Sequence, residues 1–415
     1  MADSTSGSAT RLAALAILRA VRSETPFDVA LDTAIEKMPS NDARLTHELA
    51  AGALRHRRTL DAAIRPFVDA PWDRVEPDVR DILRIGAHQI LNLDRIPPYA
   101  AVQSTVEASK RECRRASGLV NAVLRRIADT PKPTSFLSLA EQFSHPDWLV
   151  KRWIGRFGES RTTALLQHNN QRPTLTIRPA RWSLDRLVRA FTDTNIAYTL
   201  DSSFLRIPDP GPVRELAGYS DGAFVVQDGG QARLTDYARF DDHMQIWDAC
   251  AAPGGKAVVK AVDHPVLASD RSRERIQALA HNLDRVQRRA SLFVTDARHP
   301  PLPNGILDAV LVDAPCTGTG TFGRHPDARW RISPARLARA VDQQTEILDS
   351  VAPIVRPGGL LVYLTCSLES DENEDRVDTF LRCHPEYQRD EADLFIFPTD
   401  HDTDGGFGAR LRRGP

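Results

Sequence analysis

Hydrophobic positions over residues 10–128 recur with helical spacing. From Asp78 to Leu91, apolar or small residues stand at Val79, Ile82, Leu83, Gly86, Ala87, Ile90 and Leu91, the i, i+3, i+4, i+7 stripe of an amphipathic helix. Pro97 and Pro98 stop the pattern, because proline cannot extend a helix and biases the preceding residue toward extended backbone. Similar stripes predict helices over Arg11–Val21, Arg44–His56, Ala100–Arg111 and Gly118–Ile127. The run from Asp129 to Ser135 contains Pro131 and Pro133 and reads as a stiff linker.

From about residue 240 the pattern changes. Short β-rich runs at Met244–Asp248, Val266–Asp270, Ser291–Thr295, Ala309–Asp313 and Leu360–Thr365 alternate with helical ones, notably Ser333–Ile354 and Asp371–Cys383. That alternation predicts a doubly wound, mostly parallel sheet. The expected organisation is multidomain. A disordered tail covers 1–9, an all-α domain 10–130, a linker and accessory α+β subdomain 131–239, and a Rossmann-like α/β domain 240–415.

Composition narrows the class. The chain has 415 residues, 26% charged and 41% hydrophobic, enough for two or three globular domains. No apolar run approaches the roughly 18 residues of a membrane span. The start lacks the basic and apolar regions of a secretory signal, and five cysteines are too few for a disulfide framework. A cytoplasmic protein is expected. Charge is uneven, with balances of +2 over 1–145, +3 over 146–227 and −6 over 228–415. Arginine outnumbers lysine 48 to 6. Guanidinium forks suit phosphates, although a GC-rich coding bias explains most of that excess.

The strongest local signal is Asp248-Ala-Cys-Ala-Ala-Pro-Gly-Gly-Lys256, following the first strand. Two glycines entering a helix let backbone approach a ligand closely. A phosphate loop is excluded, since Cys250 takes the place of its first glycine and Ala257 that of its hydroxyl, and no G-x-G-x-x-G is present. S-adenosylmethionine (SAM) carries no phosphate; it needs a tight turn and acids for its ribose and adenine. Asp270 ends the second strand 22 residues after Asp248, near the ribose-acid offset of such folds. Asp296 follows the third strand, placed to meet adenine, and Asp313 ends the fourth. One strand-end aspartate is ordinarily a cap or turn residue. Four beside a Gly-Gly turn describe a nucleoside pocket.

Cys316 and Cys366 each sit just past a strand at the ligand edge, whereas Cys113 and Cys383 read as small core residues. Successive cysteine spacings of 137, 66, 50 and 17 residues contain no metal-binding pair, and no iron–sulfur trio for radical chemistry. No metal is expected. Two thiols beside a methyl donor point to covalent methylation of pyrimidine C5. That carbon is too electron-poor until a thiolate adds at C6. A positive neighbour favours the thiolate; Lys256 is the candidate, its alternative role being to hold a carboxylate.

Residues from about 145 to 413 resemble the NOL/NOP/Sun group of RNA (cytosine-C5) methyltransferases. The likeness rests on Asp248–Lys256, Asp313–Gly320, Arg324-His325-Pro326-Asp327 with Trp330, Pro357-Gly-Gly359, and Thr365-Cys366-Ser367 with Glu372-Asn373-Glu374. The helical part, through Glu48–Arg55, Asp94–Pro98 and Gly118–Arg126, resembles the NusB-like domain of the Sun/RsmB branch. The resemblance implies Cys366 as nucleophile, Cys316 as the cysteine assisting release, and Asp313 as the group polarising cytosine. It implies a SAM site from Cys250, Ala251, Ala252, Pro253, Gly254, Gly255 and Lys256 with Asp270, Arg275, Asp296 and Asp313. The implied substrate is small-subunit (16S) ribosomal RNA, gripped partly by the helical domain, by a monomer.

Two departures change expectations. Ala257 and a short stretch to Asp270 imply a trimmed first helix in the α/β domain. Gly405, Gly406 and Gly408 stand where the family carries bulkier residues, which implies weaker packing of the last strand. Two rival readings remain: a cytosine-C5 methyltransferase acting on DNA or tRNA, and a non-catalytic RNA-binding assembly factor on a degenerate methyltransferase body. The second thiol argues against a DNA enzyme, and retention of Cys366 argues against a scaffold.

Overall fold

Ser8, Thr10 and Arg11 are buried, and they carry the first helix well beyond its apolar stripe. Thr10 Oγ1 and Arg11 Nη1 donate to the Gly7 carbonyl at 3.2 and 2.9 Å, so these buried polar side chains find an acceptor on the helix's own backbone. Helix α1 therefore spans Ser4–Arg22, and most of the expected tail is helical. The computed structural model describes residues 4–132, 135–201, 203–208, 210–252, 254–261 and 264–415. They form two units: residues up to Gln171 with Gly323–Arg331, and Arg172–Phe322 with Ile332–Pro415.

The first unit is all helix. After α1 come α2 (Phe27–Ile35), α3 (Ser40–Arg55), α4 (Arg57–Ile64), α5 (Pro77–Asn92), α6 (Pro98–Glu112), α7 (Ser117–Ala128), α8 (Leu139–Gln142), α9 (Asp147–Phe157) and α10 (Glu159–Asn169). Leu15, Leu49, Ile82, Leu83 and Leu124 are fully buried at its centre. The apolar stripe of α5 is where the periodicity places it. Two boundaries differ from expectation. Helices α8 to α10, which the sequence assigns to the accessory subdomain, and the segment 323–331, which it assigns to the α/β domain, pack within this unit. Arg329 is the reason. Its guanidinium is fully buried and donates to the carbonyls of Arg55, Ser144 and Asn169 and to Asn170 Oδ1 at 2.8–3.1 Å. A buried guanidinium needs acceptors for its N–H groups, and Nη1 and Nη2 find four here.

The second unit opens with an antiparallel sheet of β1 (Leu175–Pro179), β2 (Thr199–Asp201), β3 (Phe204–Ile207) and β4 (Phe224–Val226), in the order β2-β3-β1-β4. Helix α11 (Leu184–Asp193) buries Leu187 and Phe191, both in one cluster with β1 and β3 residues. Helix α12 (Gly229–Tyr237) leads to the large sheet. There β5 (Ile246–Asp248), α13 (Gly255–Lys260), β6 (Val266–Asp270), α14 (Arg273–Val286), β7 (Ser291–Val294) and β8 (Leu307–Asp313) alternate. Helix α15 (Ala328–Arg331) lies in the first unit; α16 (Pro334–Val351), β9 (Val355–Thr365), α17 (Glu374–Cys383), β10 (Tyr387–Arg389), β11 (Leu394–Ile396), α18 (Pro398–His401) and β12 (Gly406–Arg413) complete the chain.

Strands β7-β6-β5-β8-β9 form the parallel part, with β12 antiparallel to β9, and β10 and β11 antiparallel to β12. The order reverses between β5 and β8. Open sheets bind ligands at such a switch point. Helix α13 has only six residues, the trimmed form expected. The last strand is not weakly packed, however. A Cβ on Gly406 would lie 2.7 Å from both Leu234 Cδ1 and the Thr365 carbonyl, and one on Gly408 would meet Tyr237 at 2.9 Å. The glycines admit α12 side chains against the strand.

Candidate active site

Four strand ends converge at the switch point. Asp248 at the end of β5 is 1% exposed, and neither carboxyl oxygen has a hydrogen bond of ordinary geometry. Burial first and the charge of Asp313 second raise its pKa to about 8, against the pull of Lys256. Lys256 is itself buried and donates to Asp313 Oδ2 and Gln231 Oε1, each at 2.7 Å. Lys256 thus takes the alternative role, holding a carboxylate.

The glycine turn is a cradle. Gly254 has φ +111°, a left-handed conformation at the mouth of α13, and a Cβ there would lie 2.4 Å from Leu279 Cδ1. Only glycine fits. The Gly255 carbonyl accepts from Gln227 Nε2 at 3.3 Å, and Ala251 and Ala252 are buried beside the turn while Cys250 is half-buried. Burial pushes the Cys250 thiol well up, so it stays neutral. Pro253 lies outside the described residues. Asp270 is buried at the end of β6, accepting from the Ser272 N–H at 2.9 Å, with Arg275 Nη1 at 3.4 Å. Arg275 also donates to the Ala252 carbonyl, bracing the turn. Asp296, expected open toward adenine, is gripped by the fork of Arg298 at 2.7–3.1 Å. That hydrogen bonding holds its pKa at about 2.

The two thiols meet. Cys316 Sγ and Cys366 Sγ are 3.1 Å apart and both residues are half-buried. The hydrogen bond to Cys366, and then burial, push the Cys316 thiol well above its ordinary value. Lys256, the positive neighbour expected for the thiols, is turned to Asp313.

Glu372 fastens the two cysteine loops together. It is fully buried and accepts from the Thr317 N–H at 2.8 Å, from Gln344 Nε2 at 3.0 Å, and from the hydroxyls of Thr317 and Ser367. Thr317 follows Cys316 and Ser367 follows Cys366. Gln344 Nε2 also reaches the Pro315 carbonyl at 3.0 Å, and the Gly320 N–H reaches the Cys366 carbonyl at 2.9 Å. The sequence holds Glu372 within a quoted motif, without a role. Gln231 and Gln344 carried no signal of their own, since their partners are distant in sequence.

Known proteins carry the same combination. The profile described as 16S rRNA methyltransferase RsmB/F matches residues 238–412, the NusB family profile 8–129, and an RsmF/B-like ferredoxin-like domain 145–213. The probable ribosomal RNA small subunit methyltransferase B of Synechocystis sp. is 32% identical, over 98% of this chain and 99% of its own length. The chain belongs to the RsmB/F family of 16S rRNA methyltransferases. The ribosomal RNA small subunit methyltransferase B of Citrobacter koseri is also 32% identical, over 90% of each chain. The fold matches the crystal structure of PH0851, with a TM-score of 0.82, 24% identity and coverage of 97% and 99%. Among the described residues, no helix is long and apolar enough to cross a membrane and no metal-binding cluster occurs.

Proposed function

We propose that this protein methylates C5 of a cytosine in 16S ribosomal RNA, using SAM, through a covalent bond between Cys366 and C6. The observation that carries the reading is the sulfur pair at the carboxyl edge of the sheet. Cys316 keeps its proton across the neutral range, which makes it a hydrogen-bond donor and a poor nucleophile. Cys366 is the sulfur that attacks, the role that the likeness of Thr365-Cys366-Ser367 to the family motif implies.

The residues present fit SAM. Gly254 at φ +111° makes a tight turn that only glycine adopts readily, and Asp270 is a buried acid one strand away. Cys250 to Gly255, Lys256, Asp270 and Arg275 would hold the cofactor, with Asp296 and its Arg298 partner at the third strand. When bound, it supplies an electrophilic methyl group.

The chain's own residues do the rest. Lys256 fixes one oxygen of Asp313 and leaves Oδ1 to meet the cytosine and polarise its ring. The Cys366 thiolate adds to C6, and the C5–C6 π electrons move to C5, which becomes nucleophilic. After C5 is methylated, its proton passes to solvent, the electron pair re-forms the double bond, and the C6–S bond breaks. Cys316 donates its S–H to the departing Cys366 sulfur and stabilises it as a leaving group. The base must be splayed out of RNA structure to reach the sulfurs.

Bisulfite mapping of rRNA from cells with and without the protein tests the substrate. One protected cytosine should appear in 16S rRNA only when the protein is present; its absence ends the reading. Cys366→Ala should abolish transfer and retain SAM binding, and retained turnover would remove Cys366 from the mechanism.

A further inference from the structure

Within the helical unit, α1, α3, α4, α5 and α15 enclose a cavity of about 180 Å³ with five arginines and the acids Glu24 and Asp81 in its wall. Small-molecule sites run to roughly 300–1,000 Å³, so this one suits a single small group. Three of the arginines are engaged. Arg84 closes on Asp61 and Asp81 at 2.7 and 2.8 Å, Arg22 pairs with Asp78 and Asp81, and Arg331 meets Asp327 at 2.6 Å.

Arg57 and Arg80 are different. Among the described residues neither has an acidic partner at ion-pairing distance, and Arg80 Nε is buried without an acceptor. The Arg57 guanidinium lies 5.0 Å over the Trp330 ring, which is itself fixed by Nε1–H donating to the Leu54 carbonyl at 2.7 Å. Burial, then repulsion from Arg84, lowers the Arg57 pKa to about 10, and Arg80 adds to that repulsion. Two partly buried cations that repel each other call for an anion, since buried charges are stable only when paired.

We propose that this cavity seats a backbone phosphate of the RNA substrate, with Arg57 and Arg80 as its ligands. The inference rests on RNA being the substrate. Guanidinium donors on a pre-positioned aromatic face match phosphodiester oxygens.

The test compares wild type, Arg80→Gln, Arg57→Gln and Arg80→Lys for binding of a labelled 16S rRNA fragment across a salt series. Each Gln variant should lower affinity several-fold. Each should also reduce the slope of log K against log salt by about 1. SAM affinity, melting temperature and kcat at saturating RNA should stay as in wild type, and Arg80→Lys should restore the slope. Unchanged affinity and slope in both Gln variants would overturn the proposal. It is equally overturned if millimolar inorganic phosphate raises the melting temperature of wild type alone while RNA binding is the same in all four proteins, because the site then takes free phosphate. Failure of the function reading looks different: wild type itself would not methylate the fragment.

Discussion

The sulfurs of Cys316 and Cys366 stand 3.1 Å apart although fifty residues separate them in the chain. A pair this close can share one hydrogen bond with either sulfur as donor; the proposed mechanism gives that proton to Cys316. The Cys316→Ala variant should therefore form the bond to C6 and then release it slowly. Gel electrophoresis under denaturing conditions should show protein of increased mass carrying RNA, which wild type shows only faintly. Cys366→Ala should show none. Normal product release by Cys316→Ala would end the role given to Cys316.

Glu372 ties together the loops that carry the two sulfurs. Every group that reaches its oxygens is a donor, two of them on Thr317 and the others on Ser367 and Gln344. Glu372→Gln replaces one acceptor oxygen with an NH2 that faces these donors. Leaving a buried donor unsatisfied costs about 1–3 kcal/mol, so the melting temperature should fall by several degrees. The kcat should fall at least tenfold while SAM affinity holds, because the clamp touches the cysteine loops and not the glycine turn. A kcat within twofold of wild type would show that the loops keep their register without it.

Much of this arrangement was legible in the sequence. The strand at Val266–Asp270 has the bounds that its alternation predicts, and the helix around Asp78–Leu91 is longer by only Pro77 at its start and Asn92 at its end. Legibility failed where local pattern is weak or the cause is distant. Helix α2 buries only Phe27 and Ala30, too few for a stripe. The strands of the small sheet are three to five residues long. The placement of 323–331 depends on Arg329, whose partners lie 159 to 274 residues away. Likewise Lys256 could be read as a helper of the thiols or as a carboxylate holder, and only its 2.7 Å contact with Asp313 decides.

Gly254 offers a direct test of the cofactor cradle. Gly254→Ala must hold a non-glycine residue at φ +111° and push its Cβ into Leu279. Left-handed strain of this kind costs about 1–3 kcal/mol. The melting temperature should drop, and calorimetric SAM affinity should fall at least tenfold, as the turn moves. A lower melting temperature with unchanged SAM affinity would mean that the glycine serves packing alone.

Asp248 makes stability depend on pH in a direction opposite to most carboxylates. Its pKa is about 8 in the fold and close to the model-peptide value of 3.8 when the chain unfolds. Between those values the native protein keeps a proton that the unfolded chain has released, so stability declines as pH rises through the window. One group of this kind contributes at most about 1.4 kcal/mol per pH unit. Below about pH 4 both states are protonated and the effect vanishes; above about pH 8 it has reached its full size. Asp248→Asn keeps the shape and removes the titration. In melting curves from pH 4 to pH 9, the variant should lose less stability than wild type as pH rises, and the two should converge toward pH 4. Parallel curves would mean that Asp248 is ionised in the native protein, with the Lys256 charge outweighing its burial.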